Sequence, residues 1–344
     1  MVHGSKYQAD AGAIVVMDVN SGDVLAMASF PDYEPSSFVG GIKTELWNYY
    51  NDKENNTPLM NRAIAGAYAP GSTFKMVTAT AALQTGEVTT KEKVNDTGVY
   101  PRGHNPMCWI YRQSHKGHGY LNVTDAIKKS CNYFFYEMGY RVGIETLDNY
   151  ASSFGLGKKT GIELTGESTG TLATPELTKS KGETWTVGYT LSAAIGQGDN
   201  SFTPIQMAKY LSILVNGGRQ IKPSIVKTII NADGSEVPRE EMQKSVNERL
   251  GITGEKEEDI EISEENLTAI MEGMRGVTTE SGGTAYKIFK NFNIEIGGKT
   301  GSAQKLNGTA NAWFVGFAPY DDPEIAIVVI IENRRFRKSR MLCG

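Results

Sequence analysis

The pattern of hydrophobic and polar residues predicts β-strands at both ends of this 344-residue chain. Near the beginning, two β-rich runs flank the turn-forming segment Asn20–Asp23, an arrangement typical of a hairpin. Near the end, turn-forming residues separate three more runs, Ile294–Gln304, Trp313–Ala318 and Ile325–Ile331. Because short turns join neighbouring strands, we expect these five strands to form one antiparallel sheet.

The long middle of the chain is predicted to be largely helical. Apolar residues and helix formers recur in four segments, Ser72–Gln84, Val123–Val142, Thr203–Val215 and Ser263–Val277. Thr203 followed by Pro204 is a clear start signal, since proline is favoured at the first helical position. Strands at both ends with helices between them indicate an α+β fold that includes an all-helical subdomain.

Composition and charge narrow the class of protein. Hydrophobic residues (40%) and 38 glycines are typical of a globular domain. The longest apolar run, Ile325–Ile331, is far shorter than the roughly 20 residues that span a membrane. Residues 231–265 carry 12 acidic and 4 basic side chains, which predicts a solvated acidic excursion. The rest of the chain has no basic stripe, which argues against a nucleic-acid partner.

Three short motifs carry candidate chemistry, and each of them occurs twice. The first set is S-x-x-K at Ser72–Lys75, S-x-N at Ser130–Asn132 and K-T-G at Lys299–Gly301. The second set is Ser224–Lys227, Ser245–Asn247 and Lys159–Gly161. Context favours the first set, whose members lie at a helix start, near a helix start and on a predicted strand. The second set falls in a β-branched run, the acidic excursion and a glycine-rich loop.

The first set supplies the groups that nucleophilic chemistry at a serine requires. A serine hydroxyl is a weak nucleophile until a neighbouring base takes its proton. One helical turn places the Lys75 amine on the same face as the Ser72 hydroxyl, and desolvation or nearby cations can lower the pKa of a lysine. A second amine, a hydroxyl relay and a strand edge that aligns an extended peptide complete a consistent site.

Longer stretches surround these motifs: Tyr68–Lys75, Ser130–Phe135, Gly196–Gly198 with Thr203–Ala208, Lys299–Ser302 and Ala312–Pro319. In this order, and over nearly the whole chain, they resemble penicillin-binding protein transpeptidase domains, most closely class B enzymes of the cell-elongation type. The resemblance implies a five-stranded antiparallel sheet with helices on both faces plus an all-helical subdomain. It also implies a D,D-transpeptidase that cross-links peptidoglycan stem peptides through a serine acyl-enzyme, releases D-alanine and is covalently inhibited by β-lactam antibiotics.

The same resemblance gives each residue of the first set a role. Ser72 would be the acylated nucleophile, Lys75 its base, Ser130 the proton shuttle to the leaving group, and Asn132 the ligand of the acyl-side amide. Lys299 would supply a positive field, Thr300 would bind the terminal carboxylate, and Gly301 would complete the K-T-G strand. The backbone N–H groups of Ser72 and Ser302 would form the oxyanion hole.

Residues 96–131 contain three of the four histidines and two of the three cysteines. This cluster is open to three interpretations: ordinary loop histidines beside a buried thiol, a Cys108–Cys131 disulfide, or a tetrahedral zinc site. Elongation-type relatives are similar, and their zinc ligands correspond to Asp96, Cys108, His118 and Cys131. Cys108 departs from the family pattern, so His104 and His115 are alternative ligands. Four protein ligands would make the zinc structural.

The ends of the chain are expected to lie outside the domain. Met1–Lys6 has the features of a cloning leader, the transpeptidase domain is expected over residues 7–332, and residues 333–344 form a basic tail. Relatives place a helix after the last strand, so we interpret the tail as truncated or non-native. Tryptophans are expected to be packing residues, with Trp185 the best exception because its loop could line the cleft.

Other functions share parts of this pattern. A β-lactamase needs a base for its deacylating water, and Glu183 is the only acid near the relevant loop. A D,D-carboxypeptidase differs only in using water as the acyl acceptor, whereas a silent β-lactam sensor or scaffold has no need of an activated serine. The resemblance further implies a membrane glycosyltransferase of the elongation machinery as a partner, and a location on the extracytoplasmic face of the cytoplasmic membrane.

Overall fold

A computed structural model describes residues 10–251, 257–304 and 310–334. The strands are β1 (Gly12–Asp18), β2 (Val24–Phe30), β3 (Val94–Asp96), β4 (Gly119–Leu121), β5 (Gly297–Gln304), β6 (Ala310–Ala318) and β7 (Ile325–Arg334). Five of them form an antiparallel sheet in the order β2-β1-β7-β6-β5. The predicted five-stranded antiparallel sheet is therefore confirmed, and β5 forms one of its edges.

The helices connect the early strands to the late ones. They are α1 (Thr44–Asn51), α2 (Lys75–Gln84), α3 (Tyr111–Ser114), α4 (Val123–Lys128), α5 (Asn132–Val142), α6 (Ile144–Ser153), α7 (Pro175–Ser180), α8 (Val187–Ala194), α9 (Pro204–Val215), α10 (Arg239–Leu250), α11 (Glu264–Thr279) and α12 (Tyr286–Phe289). None of the helices in the described residues is long and apolar enough to cross a membrane.

Side-chain caps explain where the long helices begin. At the start of α9, the Thr203 hydroxyl accepts from the Gln206 N–H, and the Gln206 side chain accepts from the Thr203 N–H. These reciprocal bonds satisfy two backbone donors that have no partner inside the helix. Ser263 caps α11 in a similar way through the Asn266 N–H. The predicted starts of both helices are confirmed.

The segment Val123–Val142, predicted as one helix, forms two. α4 ends at Lys128, and Ser130 then adopts a left-handed backbone conformation (φ 53°), which interrupts a right-handed helix. Cys131 caps α5, because its sulfur accepts from the Phe134 N–H at 3.4 Å. The single-helix prediction is wrong because the apolar spacing continues across this break. As a result, Ser130 lies at the tip of a turn and not on a helix face.

Helices cover both faces of the large sheet, as the resemblance implied. Val15, Val328 and Val315 are aligned across β1, β7 and β6 and are completely buried on the face that packs against α9. On the other face, Phe289 of α12 stacks on Phe314 of β6 with ring centroids 5.2 Å apart. The sheet therefore lies between two layers of helices, with β5 at its edge.

The helical subdomain is not purely helical. It contains α4, α5 and α6, and it also contains a two-stranded antiparallel sheet in which β3 pairs with β4. In this small sheet, Asp96 of β3 is paired with Gly119 of β4. The strands are only three residues long, too short for an alternating pattern to reveal them.

The acidic excursion is largely a solvated surface, as predicted. Within it, α10 exposes most of its residues and buries only Met242. Glu257, also in the excursion, forms an ion pair with the buried amine of Lys209. The predicted leader and the part of the tail beyond Arg334, including Cys343, lie outside the described residues.

Candidate active site

The turn that carries Ser72 packs backbone to backbone against the K-T-G strand. Ser72 lies in a 3-10 turn, Gly71–Phe74, that leads directly into α2. Gly71 has φ +55°, and a Cβ there would lie 2.7 Å from the backbone oxygen of Ser302. The Gly71 N–H also donates to the Gly196 carbonyl at 2.8 Å. Only glycine permits this close approach, which brings the Ser72 backbone beside Ser302.

The Lys75 amine is fully buried, and its hydrogen bonds are to residues of the S-x-N motif. It donates to the Ser130 carbonyl at 2.9 Å, the Ser130 hydroxyl at 3.3 Å and the Asn132 Oδ1 at 2.7 Å. Among the described residues, no hydrogen bond joins it to the Ser72 hydroxyl. Burial lowers the pKa of Lys75 to about 8, against the opposing negative charge of the Cys131 and Cys108 thiolates. The neutral fraction at physiological pH is therefore a minority, but it is far larger than that of an ordinary lysine.

The Ser130 hydroxyl is held between two lysine amines. Lys299 Nζ donates to it at 2.8 Å, and Lys75 Nζ donates to it at 3.3 Å. A hydroxyl oxygen has two lone pairs and one proton. Because both lone pairs are engaged by amines, the Ser130 proton is the group left to donate into the cleft. The left-handed backbone of Ser130 is strain of the kind found at functional sites.

The K-T-G motif occupies the edge strand β5, as predicted. Lys299 is fully buried and also donates to the Thr300 carbonyl at 2.9 Å. Burial and the neighbouring Lys75 lower the pKa of Lys299 well below its ordinary value. A permanent positive field from Lys299 therefore stays a prediction, whereas its hydrogen bond to Ser130 is present. The Thr300 hydroxyl lies 2.7 Å from that of Thr284, at the mouth of the cleft.

The second set of motifs does not converge. The Ser224 hydroxyl is buried and donates to Glu163 Oε1 at 2.6 Å, outside any helix. Ser245 lies on the exposed helix α10. Thr160 is buried in a loop, where its hydroxyl donates to Glu167 at 2.6 Å. Each of these matches is explained by local hydrogen bonding or exposure, which supports the first set as the site.

Residues of all three motifs line one open cleft of about 490 Å³, while Lys75 and Lys299 are buried behind its surface. Several residues of its wall were not predicted from the sequence: Trp109, Arg112, Gln113, Tyr136, Gln197 and Thr284. Gln197 fixes the rim by donating to the Ser302 carbonyl at 3.2 Å. Trp185, the expected exception among the tryptophans, is not in the wall; its indole N–H donates to Thr190 at 3.0 Å. The tryptophan that lines the cleft is Trp109. Its position directly after the predicted ligand Cys108 is the sequence feature that could have indicated this.

The four predicted metal ligands lie together beneath this wall. One donor atom each from Asp96, Cys108, His118 and Cys131 falls within 4.8 Å of all the others. The Asp96 and His118 side chains are 2.7 Å apart, between Asp96 Oδ2 and His118 Nδ1. Burial opposes ionisation of Asp96, but hydrogen bonds from His118 and Gly98 leave its pKa well below the ordinary value. A hydrogen bond with Cys131 lowers the pKa of Cys108, whereas burial raises the pKa of Cys131.

Two of the spacings among these donors match a tetrahedral zinc site, whereas the 2.7 Å between Asp96 Oδ2 and His118 Nδ1 is that of a direct hydrogen bond and is shorter than the roughly 3.3 Å expected for two ligands of one zinc ion. Bonds of about 2.3 Å to sulfur and 2.0 Å to nitrogen place two sulfurs about 3.8 Å apart and sulfur about 3.5 Å from nitrogen. The Cys108 and Cys131 sulfurs are 3.9 Å apart, and the Cys108 sulfur is 3.5 Å from His118 Nδ1. The alternative ligands, His104 and His115, are exposed and lie outside this cluster.

Comparison with known proteins agrees with this geometry. The penicillin binding protein transpeptidase domain matches residues 12–341. The chain is 36% identical over 339 residues to the peptidoglycan D,D-transpeptidase MrdA of Escherichia coli, covering 93% of this chain and 51% of that protein. Pseudomonas aeruginosa PBP2, solved in complex with WCK 5153, has a TM-score of 0.82 at 34% identity, covering 96% of this chain and 70% of that one. Helicobacter pylori PBP2, solved in complex with MreC, has a TM-score of 0.78 at 30% identity, covering 96% and 57%.

The chain spans about half the length of the curated relative in this comparison. Its family match, however, covers most of the chain and includes all three motifs of the cleft. The fold, the order of the motifs and the sequence identity agree, so the chain belongs to the penicillin-binding protein transpeptidase domain family.

Proposed function

We propose that this domain is a D,D-transpeptidase that cross-links peptidoglycan stem peptides through an acyl-serine intermediate. The observation that carries the proposal is a cleft beside the edge strand β5 that is lined by Ser72 and Ser130, with the buried amines of Lys75 and Lys299 hydrogen-bonded to the Ser130 hydroxyl. The E. coli relative is named for this activity. An extended peptide ending in D-alanyl-D-alanine would lie along β5 with its terminal carboxylate at Thr300.

Acylation begins at the Ser72 hydroxyl. Its oxygen attacks the carbonyl carbon of the penultimate D-alanine while its proton passes to neutral Lys75. The carbonyl oxygen becomes an oxyanion, which the backbone N–H groups of Ser72 and Ser302 stabilise. Asn132 accepts from Lys75 through its Oδ1, so its amide nitrogen is the group presented to the acyl-side carbonyl of the substrate.

The tetrahedral intermediate collapses when the leaving amine gains a proton. Ser130 donates it, since both lone pairs of its oxygen are taken by amines and its proton faces the cleft. Lys75 then passes the proton that it took from Ser72 to the Ser130 oxygen, which restores the Ser130 hydroxyl, and D-alanine leaves. In the second half, an amine of another stem peptide attacks the acyl-serine along the same route in reverse, and Ser72 regains its proton.

The wall of the cleft favours a transpeptidase or carboxypeptidase over a β-lactamase. Among the described residues that line the cleft, none is a carboxylate that could activate a deacylating water. Glu183, the acid singled out from the sequence, is exposed and accepts from the Tyr189 hydroxyl at 2.6 Å. Acyl-enzymes formed with β-lactams would therefore persist, which is the basis of covalent inhibition. A silent sensor or scaffold would not require the lysine pair around Ser130.

Mass spectrometry after incubation with benzylpenicillin tests the assignment. We expect a stable adduct of one penicillin per chain that is lost in Ser72→Ala and retained in Ser224→Ala, the matched serine of the second S-x-x-K. Rapid turnover without an adduct would indicate a β-lactamase, and undiminished labelling of Ser72→Ala would refute the nucleophile. Release of D-alanine with an amine acceptor, compared with water alone, separates the transpeptidase from the carboxypeptidase.

We further propose that Asp96, Cys108, His118 and Cys131 hold a structural zinc ion. Their donor chemistry and the two spacings that involve the Cys108 sulfur support this interpretation. Four protein donors leave no position for substrate, so zinc would cross-link β3, the loop from Cys108 to His118, and the turn between α4 and α5 without taking part in the reaction. Cys131 follows Ser130 directly, so the cross-link would hold the second motif in place.

Elemental analysis of protein purified without added metal tests the zinc site. The expected stoichiometry approaches one zinc per chain, lost in His118→Ala and kept in His115→Ala, a matched histidine of the same loop. Because structural zinc contributes folding free energy, chelation is expected to lower the melting temperature and slow acylation together. Absence of zinc, with a Cys131→Ser variant that melts and acylates like the parent, would refute the proposal.

A role in the cell-elongation machinery follows from the same family. The H. pylori relative was solved in complex with MreC, so at least one relative assembles with another protein. We propose that the full protein works on the extracytoplasmic face of the cytoplasmic membrane beside a membrane glycosyltransferase that supplies nascent glycan. Co-purification of the full-length protein with such an enzyme from membranes is the direct test, and its failure under crosslinking would contradict this partner.

A further inference from the structure

Arg112 is a charged residue on the wall of the cleft that the acyl-transfer mechanism does not use. It lies on α3, across from the K-T-G strand, and lines the same cavity as Ser72 and Thr300. Among the described lining residues, it alone carries a formal charge at the surface of the cleft. In the part of the chain that the structure describes, no carboxylate forms an ion pair with it. Its guanidinium is therefore available to a ligand.

The turn that presents Arg112 is held from several sides. It lies between Cys108 and His118, two of the four clustered donors. The indole N–H of Trp109 donates to the Lys129 carbonyl at 3.1 Å, which ties the turn to the end of α4. The ring of Tyr111 covers Gly98 so closely that a Cβ there would lie 2.0 Å from it. A pinned backbone limits where the guanidinium can reach, which is what a specific recognition residue requires.

The positive charge of Arg112 acts on Tyr136, another residue that lines the cleft. Burial raises the pKa of the Tyr136 hydroxyl to about 12, and the positive charge of Arg112 opposes that rise. No lining carboxylate offsets this charge among the described residues. A guanidinium presents paired N–H donors that match the two oxygens of a carboxylate, so a carboxylate is the ligand that this wall favours.

We propose that Arg112 is a specificity-determining residue that binds a carboxylate on the side chain of the residue preceding D-alanyl-D-alanine. This inference rests on the proposed transpeptidase function and adds a second anionic contact to the one expected at Thr300. Gln113, the next residue in the wall, offers an amide beside the same group. A stem peptide whose side-chain carboxylate is free would be selected over one in which that carboxylate is amidated.

Two penicillins that differ by one carboxylate test the assignment directly. The acyl side chain of a penicillin occupies the place of the residue before D-alanyl-D-alanine, and carbenicillin is benzylpenicillin with a carboxylate added to that side chain. The measured quantity is the ratio of their second-order acylation rate constants, followed by mass spectrometry. Arg112→Gln is expected to lower the carbenicillin-to-benzylpenicillin ratio about tenfold, as for the loss of one charged hydrogen-bonded pair.

Three companion measurements make the result specific. Lys116→Gln removes the same charge from the same exposed loop outside the wall and is expected to leave the ratio unchanged, whereas Arg112→Lys is expected to restore part of it. Peptides ending in D-alanyl-D-alanine, with a carboxylate or a carboxamide on the preceding side chain, are expected to show the same ordering. A ratio unchanged in Arg112→Gln, or an equal fall for both penicillins, would overturn the assignment. Wild-type protein that gains no penicillin adduct would instead overturn the proposed function on which it rests.

Discussion

The pH dependence of acylation tests whether Lys75 is the base. Burial lowers the pKa of this amine from 10.5 to about 8. The reactive form is the neutral one, so the rate is expected to rise with pH as the proton leaves. At a pKa of 8, about 9% of the amine is neutral at pH 7 and about 90% at pH 9, so acylation should increase roughly tenfold over that range.

The burial of Lys75 also determines how much more of its amine is neutral than in an ordinary lysine. At a pKa of 10.5, only about 0.03% of an amine is neutral at pH 7, so the shift multiplies the active form roughly 300-fold. Stopped-flow or quenched-flow acylation by benzylpenicillin between about pH 6.5 and pH 9.5 gives the profile, with blank correction for hydrolysis of the antibiotic. Ser72→Ala supplies the baseline without acylation.

The free energy of unfolding is not expected to follow the same pH profile as the acylation rate. Since the unfolded state binds more protons than the folded state between pH 8 and 10.5 at this lysine, its contribution to stability rises with pH in that window. Circular dichroism at each pH is the control for an intact fold. A rate constant that is flat or that falls between pH 7 and pH 9, in folded protein, would refute the assignment of Lys75 as the base.

Three substitutions probe other parts of the structure. Lys75→Arg is expected to slow acylation by at least the ~10²–10⁴-fold typical of a general base, and Lys299→Arg to slow it less; equal rates would contradict the division of roles. Glu332→Gln removes the partner of the buried Arg62 and is expected to destabilise the domain by about 2–4 kcal/mol in denaturant unfolding, with an unchanged midpoint as the contrary result. Gly71→Ala forces a Cβ against a backbone oxygen and is expected to lower both stability and acylation rate, whereas parental values for both would show that the turn can relax.

The regular elements were predictable because their signals are local. The strands at both ends are runs rich in β-forming residues, and turn-forming residues mark their limits. The start of α9 is determined by Thr203 and Pro204 within a few residues of sequence. The residues of the first motif set could also be chosen over the second set, because helix starts and strands can be recognised from their own sequence.

The details of the site depend on contacts that no local pattern contains. Lys75 was expected to face Ser72 along a helix, yet its amine bonds Ser130 and Asn132, which are more than 50 residues away. Ser130 was expected near a helix start, but its left-handed backbone comes from the junction between α4 and α5. Arg112 was missed because it lies on a four-residue helix whose position depends on the surrounding cluster.

The order of strands in the large sheet has a consequence for the biogenesis of the protein. β1 is made first, but its inner neighbour β7 lies more than 300 residues later in the chain. In the sheet, the edge strand β5 is connected to β1 only through β6 and β7. A nascent chain that lacks β6 and β7 therefore contains Ser72 but cannot place β5 beside it. Pairing over such sequence distances is slow compared with local helix formation. Penicillin labelling of chains released at different lengths would therefore report when synthesis is complete, since reactivity first arises with the final strand.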